Sequence, residues 1–328
     1  MAATTASSDV IEVSKEPQEE FQLSADPSKY VTLPIQNEAI WRKYQITLDT
    51  FWTVYEVNIG RDRLDLINLF DDASQREYIL KVIAFMLIAH NTIVTKELFL
   101  DLINNVDIKE ASYYFASQAE SKKTHSMMYS LLLDELIGTD TKGEEDKSEE
   151  RLTESKAELM KRVSQMPEVR SILRWYVENV NLEQESLSKR MFAFATLQGI
   201  VFGAAFMLFN WLEKQFPSKL NGLTKSNSLI WRDEKLNYSF SCMLLEYIDD
   251  EFNSDEAESI ANQAVILAKN LFLRALPVSK LGMDSQVMGQ FLEESAQTLL
   301  AELLNSTSND EEEDHNTHED GFGFDEAF

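Results

Sequence analysis

The sequence is poor in the residues that shape small, extracellular or loop-rich folds. Its 328 residues include one cysteine, Cys242, which excludes an internal disulfide and predicts a reducing, cytoplasmic location. Glycine and proline are scarce, at 10 and 6 residues, so few breaks in regular structure are expected. Lysine and arginine number 30 against 56 acidic residues, and the resulting net charge of −26 disfavours binding to nucleic acid.

Apolar runs of membrane-spanning length are not expected either. Tyr78–Ile88 and Ile200–Trp211 are apolar, but each is shorter than the roughly 20 residues that cross a bilayer. The first residues carry neither the basic region nor the apolar stretch of a secretory signal. We therefore expect a soluble protein with no membrane partner.

Apolar residues recur at helical spacing through most of the chain, which predicts an all-α fold. Residues 1–30 are polar and aperiodic, and we expect them to form a disordered arm. Residues 31–304 are expected to form the helical domain. Residues 305–328 form an acidic tail that ends in apolar residues.

Four of the longest predicted helices carry polar residues inside apolar stretches. Lys122 and His125 lie three residues apart, and Tyr129 follows four residues later, so all three share one helix face. Helices that are apolar on several sides belong at the centre of a bundle. The polar positions on the other three helices are Asn91, Gln198, and the pair Glu234 and Asn237.

Several short strings make the chain resemble the small subunit of class I ribonucleotide reductase, over roughly residues 30–295. They include Leu33-Pro34-Ile35-Gln36, Phe51-Trp52-Thr53, His125-Ser126, Met128-Tyr129-Ser130, Ala193-Phe194-Ala195, Gly222-Leu223-Thr224, Arg232-Asp233-Glu234 and Leu276-Pro277-Val278. The resemblance implies a ferritin-like helical bundle that dimerises. In active members of the family a diiron centre lies beside a tyrosyl radical, which is relayed to a large subunit that reduces ribonucleotides.

Position by position, the resemblance implies that two metal ligands are retained, His125 and Glu234. Four other ligand positions are occupied by Asn91, Lys122, Gln198 and Asn237. Tyr129 falls at the position of the radical tyrosine, and Trp52 and Asp233 fall on the radical relay. The simpler interpretation of each of these three, and of His125, is a core residue that packs and forms hydrogen bonds.

The substitutions weaken a metal site, because amide oxygens are neutral and an ammonium group has no lone pair to donate. We expect Lys122 to pair with Glu234 across the bundle and to replace metal, so that no cofactor is bound. Iron is expected only in the alternative of an active subunit with an atypical site built from His125 and Glu234.

The end of the tail resembles the peptide by which family members dock on the large subunit, and its exposed aromatic residues are Phe322, Phe324 and Phe328. Our first interpretation is that the chain is a non-catalytic subunit in deoxyribonucleotide synthesis. It pairs with a metal-competent small subunit, or with a second copy of itself, and docks the large subunit. The active subunit with an atypical site is the second interpretation. A third is that the chain is a regulatory module that binds the large subunit alone.

Overall fold

The computed structural model describes residues 31–93, 96–137, 149–180, 185–250 and 252–308, and these residues form helices, turns and loops without a β-strand. The chain up to Gln36 is a unit of its own, and its described residues 31–36 contain no helix. The remainder, from Asn37, is one compact helical unit. The ferritin-like all-α fold predicted from the sequence is confirmed. The predicted arm and most of the predicted tail lie outside the described residues.

The helices follow one another with short connections in the described parts of the chain. In chain order they are α1 (Glu38–Asp49), α2 (Asp62–Leu69), α3 (Ala73–Thr92), α4 (Lys96–Asn105), α5 (Lys109–Leu136), α6 (Glu149–Ser164), α7 (Pro167–Asn179), α8 (Leu187–Thr196), α9 (Gly203–Gln215), α10 (Asn221–Leu245), α11 (Ser254–Lys269) and α12 (Ser285–Ser308). Single 3₁₀ turns occur at Val54–Glu56 and Val278–Leu281.

The two long helices α5 and α10 form the centre of the bundle. α5 packs against α1, α3, α4 and α10, while α10 also packs against α8, α9 and α12. Neither helix is strongly amphipathic because both have neighbours on several sides. Their polar inward-facing residues are consequently held inside the core.

One continuous helical stretch, Leu187–Gln215, is long and apolar enough to cross a membrane by length and composition, and its most apolar window is completely buried inside the bundle. The sequence predicts one long helix from Leu182 to Phe216, close to these bounds, but the apolar run judged for membrane-spanning length was only Ile200–Trp211. A π-helical segment, Leu197–Phe202, joins α8 to α9 within it. Such wide turns are rare and often occur at functional sites, and this one carries Gln198.

Several helix boundaries differ from the sequence-based expectation. The first predicted helix ran to Glu56, but α1 ends at Asp49, and Thr53 and Glu56 then form a capping box around a new 3₁₀ turn. The helix predicted from Gln75 to Ile103 is two helices, α3 and α4. The last helix continues to Ser308, four residues into the predicted tail, because extending an existing helix is easier than starting one.

The start of α10 is held by acidic side chains of α2, a helix that the sequence analysis missed. Asp62 accepts hydrogen bonds from the backbone N–H groups of Gly222 and Leu223 at 2.9 and 2.6 Å. Asp65 accepts one from Leu220 at 3.2 Å. Because free N–H groups at a helix start need partners, these carboxylates fix where α10 begins and so place its inward-facing residues.

Candidate functional site

The candidate site surrounds the carboxylate of Glu234, which projects from α10 into the bundle and is 1% exposed. Its Oε1 accepts a hydrogen bond from Nζ of Lys122 on α5. Nδ1 of His125 lies 3.1 Å from the same oxygen, and Nε2 of His90 on α3 lies 3.4 Å from it. Gln198 donates from Nε2 to Oε2 over 3.4 Å. Four elements therefore meet at one carboxylate.

Helical spacing explains how α5 and α10 contribute to this cluster. Lys122 and His125 are three residues apart on α5, so both project from one face. Contacts between the two helices run in opposite directions along them, since Tyr114 meets Asn237 while Lys122 meets Glu234. The helices are therefore antiparallel, and successive turns of α5 face successive turns of α10.

A second row of hydrogen bonds orients His125 from the side of the ring that faces away from Glu234. Its Nε2 lies 2.9 Å from Oδ2 of Asp233, and Nε1 of Trp52 donates to the same oxygen over 2.8 Å. Arg232 donates to the other carboxylate oxygen over 3.1 Å. The Trp52 and His125 rings stack with centroids 6.1 Å apart. The two ring nitrogens of His125 therefore bridge the carboxylates of Asp233 and Glu234.

His90 is held in a similar way, although its anchor is a backbone carbonyl. Nδ1 lies 2.9 Å from the carbonyl oxygen of Met86, which can only accept, so the ring proton belongs on Nδ1. The ring stacks on Phe202 with centroids 5.1 Å apart. Burial lowers the pKa of His90 to about 4, which keeps the ring neutral at pH 7. The lone pair of Nε2 therefore faces Glu234.

The charges of the site balance within the buried pair. Burial acts to raise the pKa of the Glu234 carboxyl, but the Lys122 ammonium and the hydrogen bond of His125 outweigh it and hold this pKa well below its usual range. Burial lowers the pKa of Lys122, while the charge of Glu234 opposes that shift. Glu234 is therefore the anion of the cluster, and Lys122 is the cation beside it.

The structure contradicts the predicted position of Asn91. Its side chain is exposed and accepts a hydrogen bond from Oγ of Ser126 over 2.8 Å. His90, one residue earlier, faces Glu234 instead. One step along a helix turns the side chain by about 100°, so an assignment by sequence position that is one residue off selects the wrong face. The spacing of His90 from the buried Ile83 and Met86, at seven and four residues, was the signal that could have identified it.

The other residues predicted for the centre of the bundle lie in the core, but they do not all reach Glu234. Asn237 accepts a hydrogen bond from the hydroxyl of Tyr114 over 3.3 Å, and its Nδ2 has no partner among the described residues. The hydroxyl of Tyr129 is buried and likewise has no partner within the described part of the chain. Burial raises the pKa of Tyr129 well above its usual value, so the phenol stays protonated.

Sequence reasoning missed a polar extension of the site along α5. Tyr114, Gln118 and Lys122 are spaced by four residues and are all buried, so a polar stripe runs down this face of the helix. Neither amide atom of Gln118 has a hydrogen-bond partner in the described chain. The four-residue spacing back from Lys122 was visible in the sequence and could have identified both residues.

Three atoms of the site are suited to binding a metal ion. Donor atoms of His90, His125 and Glu234 lie within 4.8 Å of one another, and all three residues are buried. This set does not fit a pair of metal ions of the ferritin-like type, which requires several carboxylates to neutralise the charge. Glu234 is the carboxylate that contacts both imidazoles, and its Oε1 already bonds an ammonium group.

The predicted docking residues of the tail, Phe322, Phe324 and Phe328, lie outside the described residues, and their role stays a prediction. Trp52, Asp233 and His125, in contrast, form the continuous hydrogen-bonded row described above.

Comparisons with known proteins point to one family. Residues 29–314 match the family model for the small chain of ribonucleotide reductase. The chain is 33% identical over 286 residues to the ribonucleoside-diphosphate reductase small chain of Trypanosoma brucei brucei, which covers 87% of this chain and 79% of that one. It is 32% identical over 287 residues to the small chain of Schizosaccharomyces pombe, with 88% and 69% covered.

Solved structures resemble the fold over most of its length. The ribonucleotide reductase Rnr4 homodimer from Saccharomyces cerevisiae superposes with a TM-score of 0.72 at 25% identity, covering 83% of this chain and 81% of that chain. The dimanganese(II) form of NrdF from Streptococcus sanguinis superposes with a TM-score of 0.68 at 16% identity, covering 86% and 92%, and supports the fold alone. From the match over residues 29–314 and the identity to curated small chains, this chain belongs to the ribonucleotide reductase small-chain family.

Proposed function

We propose that this chain is a non-catalytic small subunit of ribonucleoside-diphosphate reductase. In this proposal the Lys122–Glu234 ion pair closes the place where active family members hold two metal ions. The observation that carries the proposal is the hydrogen bond from Nζ of Lys122 to Oε1 of Glu234. An ammonium group about 4 Å from a divalent ion repels it by on the order of 8 kcal/mol at an effective dielectric constant near 20.

The surroundings of the pair support the same proposal. Asn237 is turned toward Tyr114, and Gln198 uses its amide nitrogen, not its oxygen, toward Glu234. Neither amide therefore offers an oxygen that shares a cation with Glu234. Tyr129 is a protonated phenol in the core, and we assign it a packing role. The row formed by Trp52, Asp233 and His125 is assigned to holding α5 and α10 in place.

We infer the binding partners from membership of the family, and not from contacts that this chain makes. We propose that it forms a heterodimer with a metal-competent small subunit and supports the folding or metal loading of that partner in the cytoplasm. The large subunit is expected to bind the tail through Phe322, Phe324 and Phe328. Pairing of two copies of this chain is the alternative arrangement, and the Saccharomyces cerevisiae Rnr4 structure is a homodimer.

Metal analysis and electron-spin resonance of the purified full-length chain test the proposal. We expect iron and manganese well below one equivalent and no tyrosyl radical after incubation with ferrous iron and oxygen. Stoichiometric iron together with a radical signal would establish the competing function, an active subunit with an atypical metal site. The observation that favours that alternative is the convergence of His90, His125 and Glu234.

Co-purification from the native source followed by mass spectrometry tests the assembly. The proposed heterodimer predicts that a second small subunit and the large subunit are both recovered with this chain. Recovery of the large subunit without another small subunit would instead support the regulatory module considered from the sequence.

A further inference from the structure

A surface cleft lies between α7 and α11, and none of the residues that line it belongs to the candidate site. It has a volume of about 280 Å³, and Trp175 and Leu267 contribute apolar surface to it. Ile266, which also lines the cleft, is 58% exposed, and Val177, three residues after the lining residue Arg174, is 46% exposed. Single exposed apolar residues are common, but a group of them around a cleft is typical of a binding surface.

The α7 side of the cleft carries unpaired polar groups. Trp175 is 4% exposed, and its buried Nε1 has no hydrogen-bond partner among the described residues. Arg174 lines the cleft, and Arg170 lies one turn earlier on the same exposed face. Neither arginine has a carboxylate partner within the described chain, and the lining includes one carboxylate, Glu178. The cleft therefore fits a ligand that combines apolar side chains, acceptor oxygens and negative charge.

The last residues of the chain have this combination. Residues 309–328 include nine acidic residues and neither lysine nor arginine. They also include three aromatic residues, Phe322, Phe324 and Phe328, with Asp325 and Glu326 between the last two. An acidic peptide with aromatic side chains is thus present in the same molecule as the cleft.

The end of α12 is close enough for this segment to reach the cleft. The helices α11 and α12 are antiparallel, because Lys269 pairs with Glu293 while Leu273 faces Gly289. α12 therefore ends beside the start of α11, about 18 Å along the helix axis from Ile266. Residues 309–321 span at most about 45 Å when fully extended. Phe322 and the residues after it can consequently reach the cleft of their own chain.

We propose that the tail, residues 309–328, docks in the cleft between α7 and α11 of its own chain. The phenylalanine side chains fill the apolar part, and the carboxylates lie beside Arg170 and Arg174. Covalent attachment gives such a tail an effective concentration in the millimolar range, so a weak contact is enough to hold it. High salt weakens the contact, because its ionic part is exposed to solvent.

Docking in the cleft competes with docking on the large subunit, a consequence that rests on the proposed function. A tail held by its own chain is not available to a partner, so the apparent affinity for the large subunit falls by the fraction of tails that are undocked. The cleft thereby sets how readily the chain joins a holoenzyme.

Photocrosslinking of the full-length chain, without the large subunit, tests the contact. Phe324 is replaced by photoreactive benzoyl-phenylalanine, and the linked residues are identified by mass spectrometry after irradiation. We expect links within one chain to residues of α7 and α11 that line the cleft. Links between two chains, links to other surfaces, or the absence of any link would each overturn the proposal.

Substitutions in the cleft show whether the link depends on its chemistry. Ile266→Glu places a charge on the apolar wall and is expected to lower the yield of the link by about 10-fold. Leu64→Glu is the matched control, since Leu64 is 62% exposed on α2, and it leaves the yield unchanged. Combined Arg170→Glu and Arg174→Glu lower the yield, whereas lysine at both positions retains it. An undiminished yield with Ile266→Glu would count against docking in the cleft.

Binding to the large subunit tests the competition separately. Ile266→Glu is expected to bind the large subunit about 2–10-fold more tightly than the wild type, and Leu64→Glu to bind like the wild type. Equal affinities for Ile266→Glu and the wild type would contradict the competition. A large subunit that binds no variant contradicts the proposed function and leaves the crosslink intact, so the two failures are distinguishable.

Discussion

The ammonium of Lys122 and the carboxylate of Glu234 form a buried contact that joins α5 to α10 across 112 residues of sequence. The two residues are 4% and 1% exposed, so bulk water solvates neither charge. A buried ion pair adds little net stability compared with a well-packed apolar pair. Loss of one partner, however, leaves the other charge buried without a counter-charge. Removing one side chain should therefore cost more than replacing both.

We expect Lys122→Ala to lower the free energy of unfolding by about 3–5 kcal/mol, because Glu234 is left buried without a counter-charge. Urea denaturation followed by circular dichroism measures this loss. Lys123→Ala is the matched control: Lys123 is exposed and pairs with Glu120 at the surface, so a change within about 0.5 kcal/mol is expected. Equal unfolding midpoints for Lys122→Ala and the wild type would show that the Lys122–Glu234 ion pair does not contribute to the stability of the fold.

Tyr129 and Tyr114 provide a matched pair of buried phenols on α5. The hydroxyl of Tyr114 donates to Asn237, but that of Tyr129 has no partner among the described residues. Tyr114→Phe is therefore expected to cost about 1 kcal/mol, and Tyr129→Phe to be neutral or stabilising. Thermal unfolding of both variants checks the difference.

The same Tyr129→Phe variant tests whether the chain takes part in radical chemistry. In a holoenzyme assembled with a metal-competent small subunit and the large subunit, ribonucleotide reduction should proceed at the wild-type rate, since this phenol is assigned to packing. A holoenzyme that loses turnover with Tyr129→Phe, while retaining its subunits on gel filtration, would place the radical on this chain.

Much of the bundle and of its centre could be predicted because both depend on helical periodicity. The spacing of Lys122 and His125 put both residues on one face of α5, and opposite charges inside a core have to pair. The choice of Glu234 as the partner came from the family resemblance, which placed both residues at ligand positions. Gln198 faces Glu234 as well, and its position on a π-helical segment was not visible in the sequence.

The features that could not be predicted depend on the rotation of a helix about its own axis and on contacts between residues that are distant in sequence. His90 and Asn91 are neighbours, and their assignment depends on the exact phase of α3, which an assignment by resemblance does not give. The anchoring of α10 by Asp62 joins residues 160 positions apart. α2, which carries Asp62, has only eight residues and too few turns for its periodicity to be clear.

Asp62 should make stability depend on pH. Burial raises the pKa of its carboxyl from 3.8 to about 6, although the N–H groups of Gly222 and Leu223 oppose the shift. An acid with a raised folded pKa binds its proton more tightly when folded. Its contribution to stability is thus fully present below about pH 4 and is lost as the pH rises through about 6, by about 3 kcal/mol in total.

The measurement compares unfolding free energies of the wild type and Asp62→Asn from pH 4 to 7. The difference, wild type minus variant, is expected to fall across this range as the wild-type carboxyl ionises. Asp71→Asn, at an exposed carboxyl nearby, measures the general effect of removing one carboxyl from this part of the chain. A difference for Asp62→Asn that stays flat, or that grows with pH, would refute the raised pKa.

Gly222 is the position on α10 where the anchoring by α2 leaves no room for a side chain. A Cβ atom there would lie 2.7 Å from Oδ2 of Asp62 and 2.7 Å from the backbone Cα of Ile59. The backbone contact cannot be relieved by a rotamer change, so Gly222→Ala is expected to cost about 1–3 kcal/mol. At Gly289 in α12 the nearest atom to an added Cβ is 3.9 Å away, and Gly289→Ala should be neutral or stabilising by up to about 1 kcal/mol. Thermal unfolding of the two variants provides the comparison, and equal effects would mean that α10 can shift at its start without loss of the contacts that place Glu234.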